Sequence, residues 1–173
     1  MTNSSSSHPS CSICAGARRD AIARSEHWSI RAHAAPCPVA GWHIVDLARH
    51  AESWDELRTD ESASLGPFLS RATRAIRSAT GCERVYLLSF CEAVPHLHLH
   101  LAPRHAGDES TNAWSVADLY RRVQRGEAPS ADPSRAAEIS ALVARELESG
   151  DDSGVASWRW RDECGKEGEA GGS

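Results

Sequence analysis

Residues 94–105 read VPHLHLHLAPRH and place His96, His98 and His100 at every second position, alternating with Leu97, Leu99 and Leu101. A spacing of two is the period of a β-strand, in which successive side chains point to opposite faces. The three imidazoles are therefore expected on one face, each roughly 7 Å from the next, with the leucines packed into a core on the other. Such a face can ligate a metal, bind phosphate or supply a nucleophile, and a plain solvated strand face is the bland alternative. Three side chains spread along one strand cannot all reach a single zinc at about 2.1 Å, although two could. In the nucleophilic reading one histidine attacks phosphorus while its neighbours bind phosphate oxygens and fix the tautomer.

A second group with ligating chemistry is Cys11-Ser-Ile-Cys14. A C-x-x-C pair serves either as a redox couple or as half of a zinc site. A thioredoxin-like couple calls for a strand before it, whereas the polar stretch MTNSSSSHPS precedes this one. Zinc requires two further ligands.

The elements that must position these residues follow from patterning. EHWSIRAHA (26–34) and GWHIVDLARH (41–50) read as strands joined by a turn at APCPVAG, and ERVYLLSF (83–90) and HLHLHLAP (96–103) as two more. Residues 52–79 read as a helix, with Leu57, Leu65, Leu69, Ala72, Ile76 and Ala79 at three- and four-residue steps. Pro67 predicts a break or fresh start near Gly66, and Gly81 a C-cap. A short helix is expected over Trp114–Arg125 and another over Ser134–Glu148, with APSADPS as linker. The expected organisation is a disordered lead-in at 1–10, a catalytic domain at 11–105, a helical extension at 106–150 and a disordered, Gly-, Ser- and acid-rich tail at 151–173.

Composition bounds the partners. The 173 residues carry a net charge of −5, which argues against a dedicated nucleic-acid binder, and no stretch is long and apolar enough to span a membrane. The N-terminus lacks the charged and apolar regions of a signal peptide, and six cysteines without one point to thiols or metal ligands in the cytoplasm. Lys166 is the only lysine, so phosphate-loop and lysine-imine chemistries are excluded.

VPHLHLHLAPR resembles the signature of the histidine triad (HIT) family, His-φ-His-φ-His-φ-φ with φ apolar, filled here by Leu97, Leu99, Leu101 and Ala102. GWHIVDLARH is similar to the family's strand that ends in a histidine. The resemblance runs roughly from Cys11 to Arg104 and implies an α+β fold: an antiparallel sheet with a long helix packed on it, here with extra C-terminal helices, in a protein that is usually a homodimer. It implies that His98 attacks the α-phosphorus of a nucleoside phosphate or dinucleoside polyphosphate, forming a nucleotidyl-histidine that water resolves. His100 would contact phosphate oxygens and stabilise the charge developing there. One branch of the family completes an N-terminal cysteine pair with two histidines around zinc. On matching positions the ligands are Cys11, Cys14, His50 and His96, a closed structural site.

Two positions depart from the family pattern. Cys91 and Glu92 stand where HIT hydrolases have a Gly-Gln pair contacting phosphate, and a carboxylate beside a polyphosphate is repulsive unless protonated, paired or facing a cation. Ala34 stands nearest to where an acidic residue holds the ribose hydroxyls. The phosphate-binding candidates are therefore His100, Glu92 and Arg104. A nucleotidyltransferase or phosphorylase using the same intermediate, and a nucleotide-binding module with altered catalysis, stand as alternatives to the hydrolase; a catalytic-metal hydrolase lacks an acidic cluster. His27, His33, His43 and His105 are expected to be structural or loop residues, Trp28 and Trp42 to pack at the sheet edge, and Cys37, Cys82, Cys91 and Cys164 to be ordinary thiols.

Overall fold

The computed structural model of the chain describes residues 8, 10–149, 159–161 and 167–169. The single-turn helix α1 (Ser12–Ala15) starts at the cysteine pair. Strands β1 (Ala23–Arg24), β2 (Trp28–Ala32) and β3 (His43–Leu47) precede the long helix α2 (Thr59–Thr80). Then come β4 (Arg84–Leu88), β5 (His98–Arg104), α3 (Val116–Gln124), α4 (Pro133–Ser149), β6 (Arg159–Arg161) and β7 (Glu167–Glu169). One sheet holds all seven strands in the order β4-β5-β3-β2-β1-β6-β7, each neighbouring pair antiparallel. This is the expected α+β arrangement. No described helix is long and apolar enough to cross a membrane.

Alternation along the strands sorts two faces. Trp28 and Ile30, Val45 and Leu47, and Leu99 and Leu101 are buried together under Phe68, Ala72, Ala75 and Ile76 of α2 and Ile139, Val143 and Leu147 of α4. On the opposite face Trp42, Ile44 and Ala102 pack with Cys37 and with Val116 and Tyr120 of α3. In the β3–β5 ladder Asp46 opposes His98 and Ile44 opposes His100. Since directly opposed residues share a face, Asp46, His98 and His100 lie on the α3 side.

Several expectations are corrected. The helix begins at Thr59, not 52, and runs through Pro67 without a break. Pro67 and its neighbours Ser62, Ala63 and Gly66 are exposed, so water can satisfy the carbonyl that the proline leaves without a partner, while the buried stripe holds the helix on the sheet. The end is as expected: Gly81 adopts φ 67 and its N–H donates to the Arg77 carbonyl at 2.9 Å. α4 is no appendage to a domain ending at 105, because its apolar face completes the main core. Trp28 and Trp42 are buried rather than at an edge, and Trp28 Nε1–H donates to the Glu61 carbonyl at 3.1 Å. The disordered tail expected at 151–173 contains β6 and β7, which continue the sheet beyond β1, where an edge strand offers unpaired backbone groups. The rest of that tail, and residues 1–7 and 9 of the expected lead-in, lie outside the described residues.

Glu61, almost wholly enclosed, receives two hydrogen bonds from Arg49 at 2.7 and 2.8 Å and one from the Arg58 N–H at 2.8 Å. Burial alone would raise its pKa, but these donors outweigh it and hold the carboxyl well below the usual range. The pair fastens the chain just before His50 to the start of α2.

His43 is buried in β3. Its Nδ1–H donates to the Gly41 carbonyl at 2.8 Å, and its Nε2 has no partner among the described residues. Burial pushes its pKa down to about 4 from 6.5. The protonated form is disfavoured in the folded chain, so this contribution to stability is complete above pH 6.5 and is lost as pH falls through about 4. The loss is about 3 kcal/mol. Urea unfolding of His43→Leu between about pH 7 and about pH 4 is expected to show a correspondingly shallower decline than wild type; equal slopes would refute the assignment.

Candidate active site and metal centre

β5 begins at His98 rather than at His96, and that two-residue difference divides the histidines between two places. The Leu97 N–H donates to the Ala51 carbonyl at 2.7 Å and the Leu47 N–H to the Leu97 carbonyl at 3.1 Å, which brings the stretch before β5 against the end of β3. His96 there is buried beside His50, with ring centroids 5.3 Å apart. The turn of α1 carries Cys11 and Cys14 onto the same two rings. Cys11 Sγ lies 3.4 Å from His96 Nδ1, and Cys14 Sγ lies 3.5 Å from both His96 Nδ1 and His50 Nδ1.

These four ligand atoms lie within 4.8 Å of one another. A tetrahedral ion with Zn–S near 2.3 Å and Zn–N near 2.05 Å separates its sulfur and nitrogen ligands by about 3.6 Å, so the donor set fits such an ion. The outer contacts agree. His96 Nε2 is 2.9 Å from the Leu47 carbonyl, which fixes the proton on Nε2 and leaves Nδ1 free to ligate, and His50 Nε2 faces Glu52 Oε1 at 3.4 Å. Burial also lowers the His96 pKa, which keeps the ring neutral, as a ligand must be.

His98 and His100 face the other way along the groove, into a cavity of about 530 Å³ between the α3 side of the sheet, α1, α3 and the 90–94 loop. Their ring centroids are 5.2 Å apart, closer than the strand repeat because the rings tilt together. Their tautomers are opposite. His98 Nδ1 is 2.7 Å from the His96 carbonyl and so carries the proton, leaving the Nε2 lone pair free for the cavity. His100 Nδ1 accepts from Trp42 Nε1–H at 3.2 Å, so its proton sits on Nε2. Burial first, then His98, His33 and Arg31, push the His100 pKa down to about 3. His100 is thus a neutral hydrogen-bond donor, not the cation that charge stabilisation would suggest.

Of the phosphate-binding candidates, His100 and the exposed Glu92 line this cavity, and Arg104 does not. Arg104 lies four residues past His100, about 13 Å farther along the strand. Its Nη1 donates to the carbonyls of His105 and Asp108, which secures the following loop. Ala34 and Cys91 also line the cavity, and Cys91 adopts φ 53. Sequence reasoning missed Trp42 as the partner of His100, Tyr120 against the His100 ring at 5.6 Å, and the Arg31–Asp46 pair. Charged residues at inward positions of otherwise apolar strands were a usable signal for that pair; nothing local marks Tyr120.

No protein-family model matches the sequence, and no curated protein is similar to it in sequence. Solved structures are similar in fold. A hypothetical histidine triad nucleotide-binding protein from Sulfolobus tokodaii superposes with a TM-score of 0.55 at 16% identity, over 75% of this chain and 83% of that one. A histidine triad protein from Bradyrhizobium japonicum gives 0.56 at 20%, over 73% and 89%. The chain has the histidine triad fold. A zinc-bound histidine triad family protein from Mycobacterium smegmatis shares this HIT fold with a TM-score of 0.55 at 18% identity, over 74% and 84%.

The tautomer assignment is directly measurable. In long-range ¹H–¹⁵N spectra of the imidazoles at neutral pH, His98 is expected as the Nδ1–H form and His100 as the Nε2–H form. In Trp42→Phe the His100 signals should move toward a mixture of both while His98 stays as it is. An unchanged His100 would remove Trp42 from this role.

Proposed function

We propose that the chain is a histidine triad nucleotide hydrolase, with His98 as nucleophile. The observation that carries the proposal is the His98 ring held by a 2.7 Å bond from Nδ1–H to the His96 carbonyl, with Nε2 facing the cavity. In the first step the Nε2 lone pair forms an N–P bond to the α-phosphorus of a nucleoside phosphate or dinucleoside polyphosphate. The P–O bond to the leaving group breaks, and the leaving oxygen takes a proton from solvent. The His96 carbonyl stabilises the positive charge that develops on the ring. Water then attacks phosphorus, the N–P bond breaks, and the nucleoside monophosphate leaves with His98 restored. His100 Nε2–H donates to a non-bridging phosphate oxygen throughout.

Glu92 in the cavity wall favours a second reading: the same covalent step with a non-water acceptor, as in a nucleotidyltransferase or phosphorylase. Zinc is the ion we assign to Cys11, Cys14, His50 and His96. All four positions of a tetrahedron are taken by protein, which makes its role structural. A homodimer completes the proposal, supported by the sheet edge at β4, where Leu87 and Phe90 are exposed.

Intact-mass spectrometry after brief mixing with nucleotides is expected to show a nucleotidyl adduct on wild type and none on His98→Ala. Nucleotide binding without adduct or turnover in wild type would leave a binding module in place of an enzyme. Elemental analysis is expected to give about one zinc per chain. Cys14→Ser should lose the zinc and several degrees or more of Tm, since structural zinc contributes directly to folding; metal content equal to wild type would exclude the assigned ligands.

A further inference from the structure

The wall of the cavity across from His98 and His100 is formed partly by Arg31. Arg31 opposes Ile44, and Ile44 opposes His100, so the three lie in one row across β2, β3 and β5. Two interstrand spacings, about 10 Å, separate the ends of that row at the backbone. Arg31 Nε and Nη2 donate to the two carboxylate oxygens of Asp46 at 2.8 and 3.2 Å. Asp46 is wholly enclosed, while the Arg31 side chain keeps 18% of its surface accessible. Seen from the cavity the pair is therefore a dipole with its cationic end outward. The second edge of the guanidinium, at Nη1, makes no hydrogen bond among the described residues.

Other features of the wall point the same way. Burial and the Arg31 charge lower the His33 pKa, so the neighbouring imidazole stays neutral beside a permanent guanidinium charge; the other lining arginine, Arg121 of α3, is paired with Asp118. Ala34, beside it, has no side-chain acceptor for sugar hydroxyls. Glu92, the one carboxylate among the described lining residues, sits on the loop before the triad and not on this wall. A bidentate ion pair removed from water contributes little stability compared with an apolar replacement, but it does hold an arginine in one rotamer, facing a ligand.

We infer that Arg31, braced by Asp46, binds a second anionic group of the substrate, so that the cavity takes a nucleotide carrying a phosphoryl group on its ribose in addition to the one attacked by His98. The inference rests on the nucleotide reading above and names the substrate class within it. Guanidinium N–H groups match phosphate oxygens in geometry and charge, and Arg31 holds its guanidinium in the same cavity as the triad rings.

The test is calorimetry on the full chain. The ligands are the 5′-monophosphates of the four common ribonucleosides and the matching 3′,5′- and 2′,5′-bisphosphates. At least one bisphosphate is expected to bind wild type about tenfold more tightly than its monophosphate, and Arg31→Met to reduce that preference to about twofold or less. Arg31→Met leaves Asp46 buried alone, so Arg31→Met/Asp46→Leu, which removes the carboxylate as well, repeats the measurement in a fold free of an unpaired charge. Monophosphate binding with no bisphosphate preference overturns the anionic subsite and leaves the nucleotide reading standing. A preference that survives in both variants overturns the role of Arg31. Failure of every nucleotide to bind wild type defeats the nucleotide reading and this inference together.

Discussion

The pairing register between β3 and β5 is the constraint on which the rest depends. With Asp46 opposite His98 and Ile44 opposite His100, the leucines of β5 enter the core beneath α2 and α4 and the histidines enter the cavity. A slip of one residue would exchange the two sets, burying imidazoles among Phe68, Ile76 and Val143 and turning Leu99 and Leu101 toward the cavity. Hydrophobic burial on one face therefore sets where the histidines stand on the other. The backbone bonds between the 47–51 and 97 segments extend the same register and bring His50 and His96 within reach of the cysteine pair.

Two centres of different character lie side by side as a result. The cluster of Cys11, Cys14, His50 and His96, two of them buried and two half-buried, joins the N-terminal turn, the end of β3 and the approach to β5. The cavity beside it holds the His98 and His100 rings, whose proton positions are set by one carbonyl and one indole. The two rings present different groups, since the bonds at Nδ1 leave a lone pair on Nε2 of His98 and a proton on Nε2 of His100. The link between the two places is short, because the carbonyl that orients His98 belongs to His96, itself a member of the Cys₂His₂ cluster.

Much of this was legible in the sequence because it is periodic or local. The two-residue histidine spacing, the central strands, the Gly81 cap and the helix over 134–148 follow from patterns that read on one strand or one turn at a time. The failures share a cause. Pro67 sits on an exposed helix face, where the tertiary packing of the other face decides; α4 belongs to the core through contacts with distant strands; and the separation of His96 from its two neighbours depends on where pairing with β3 ends. Trp42, Arg31 and Tyr120 are invisible for the same reason, since each gains its role from a partner at another place in the chain. Arg104 erred in the opposite direction: close to the triad in sequence, it is carried away by the length of the strand.

The seating of α4 against β2 has a consequence for how the molecule comes into being. Trp28 and Ile30 share a core with Ile139 and Leu147, segments on the order of a hundred residues apart. Loops of that size close slowly, and the sheet face that α4 covers is apolar until it arrives. During synthesis, the segment that precedes α4 emerges with this apolar flank uncovered. The core closes only once α4 has been made, and until then chaperones have most to hold.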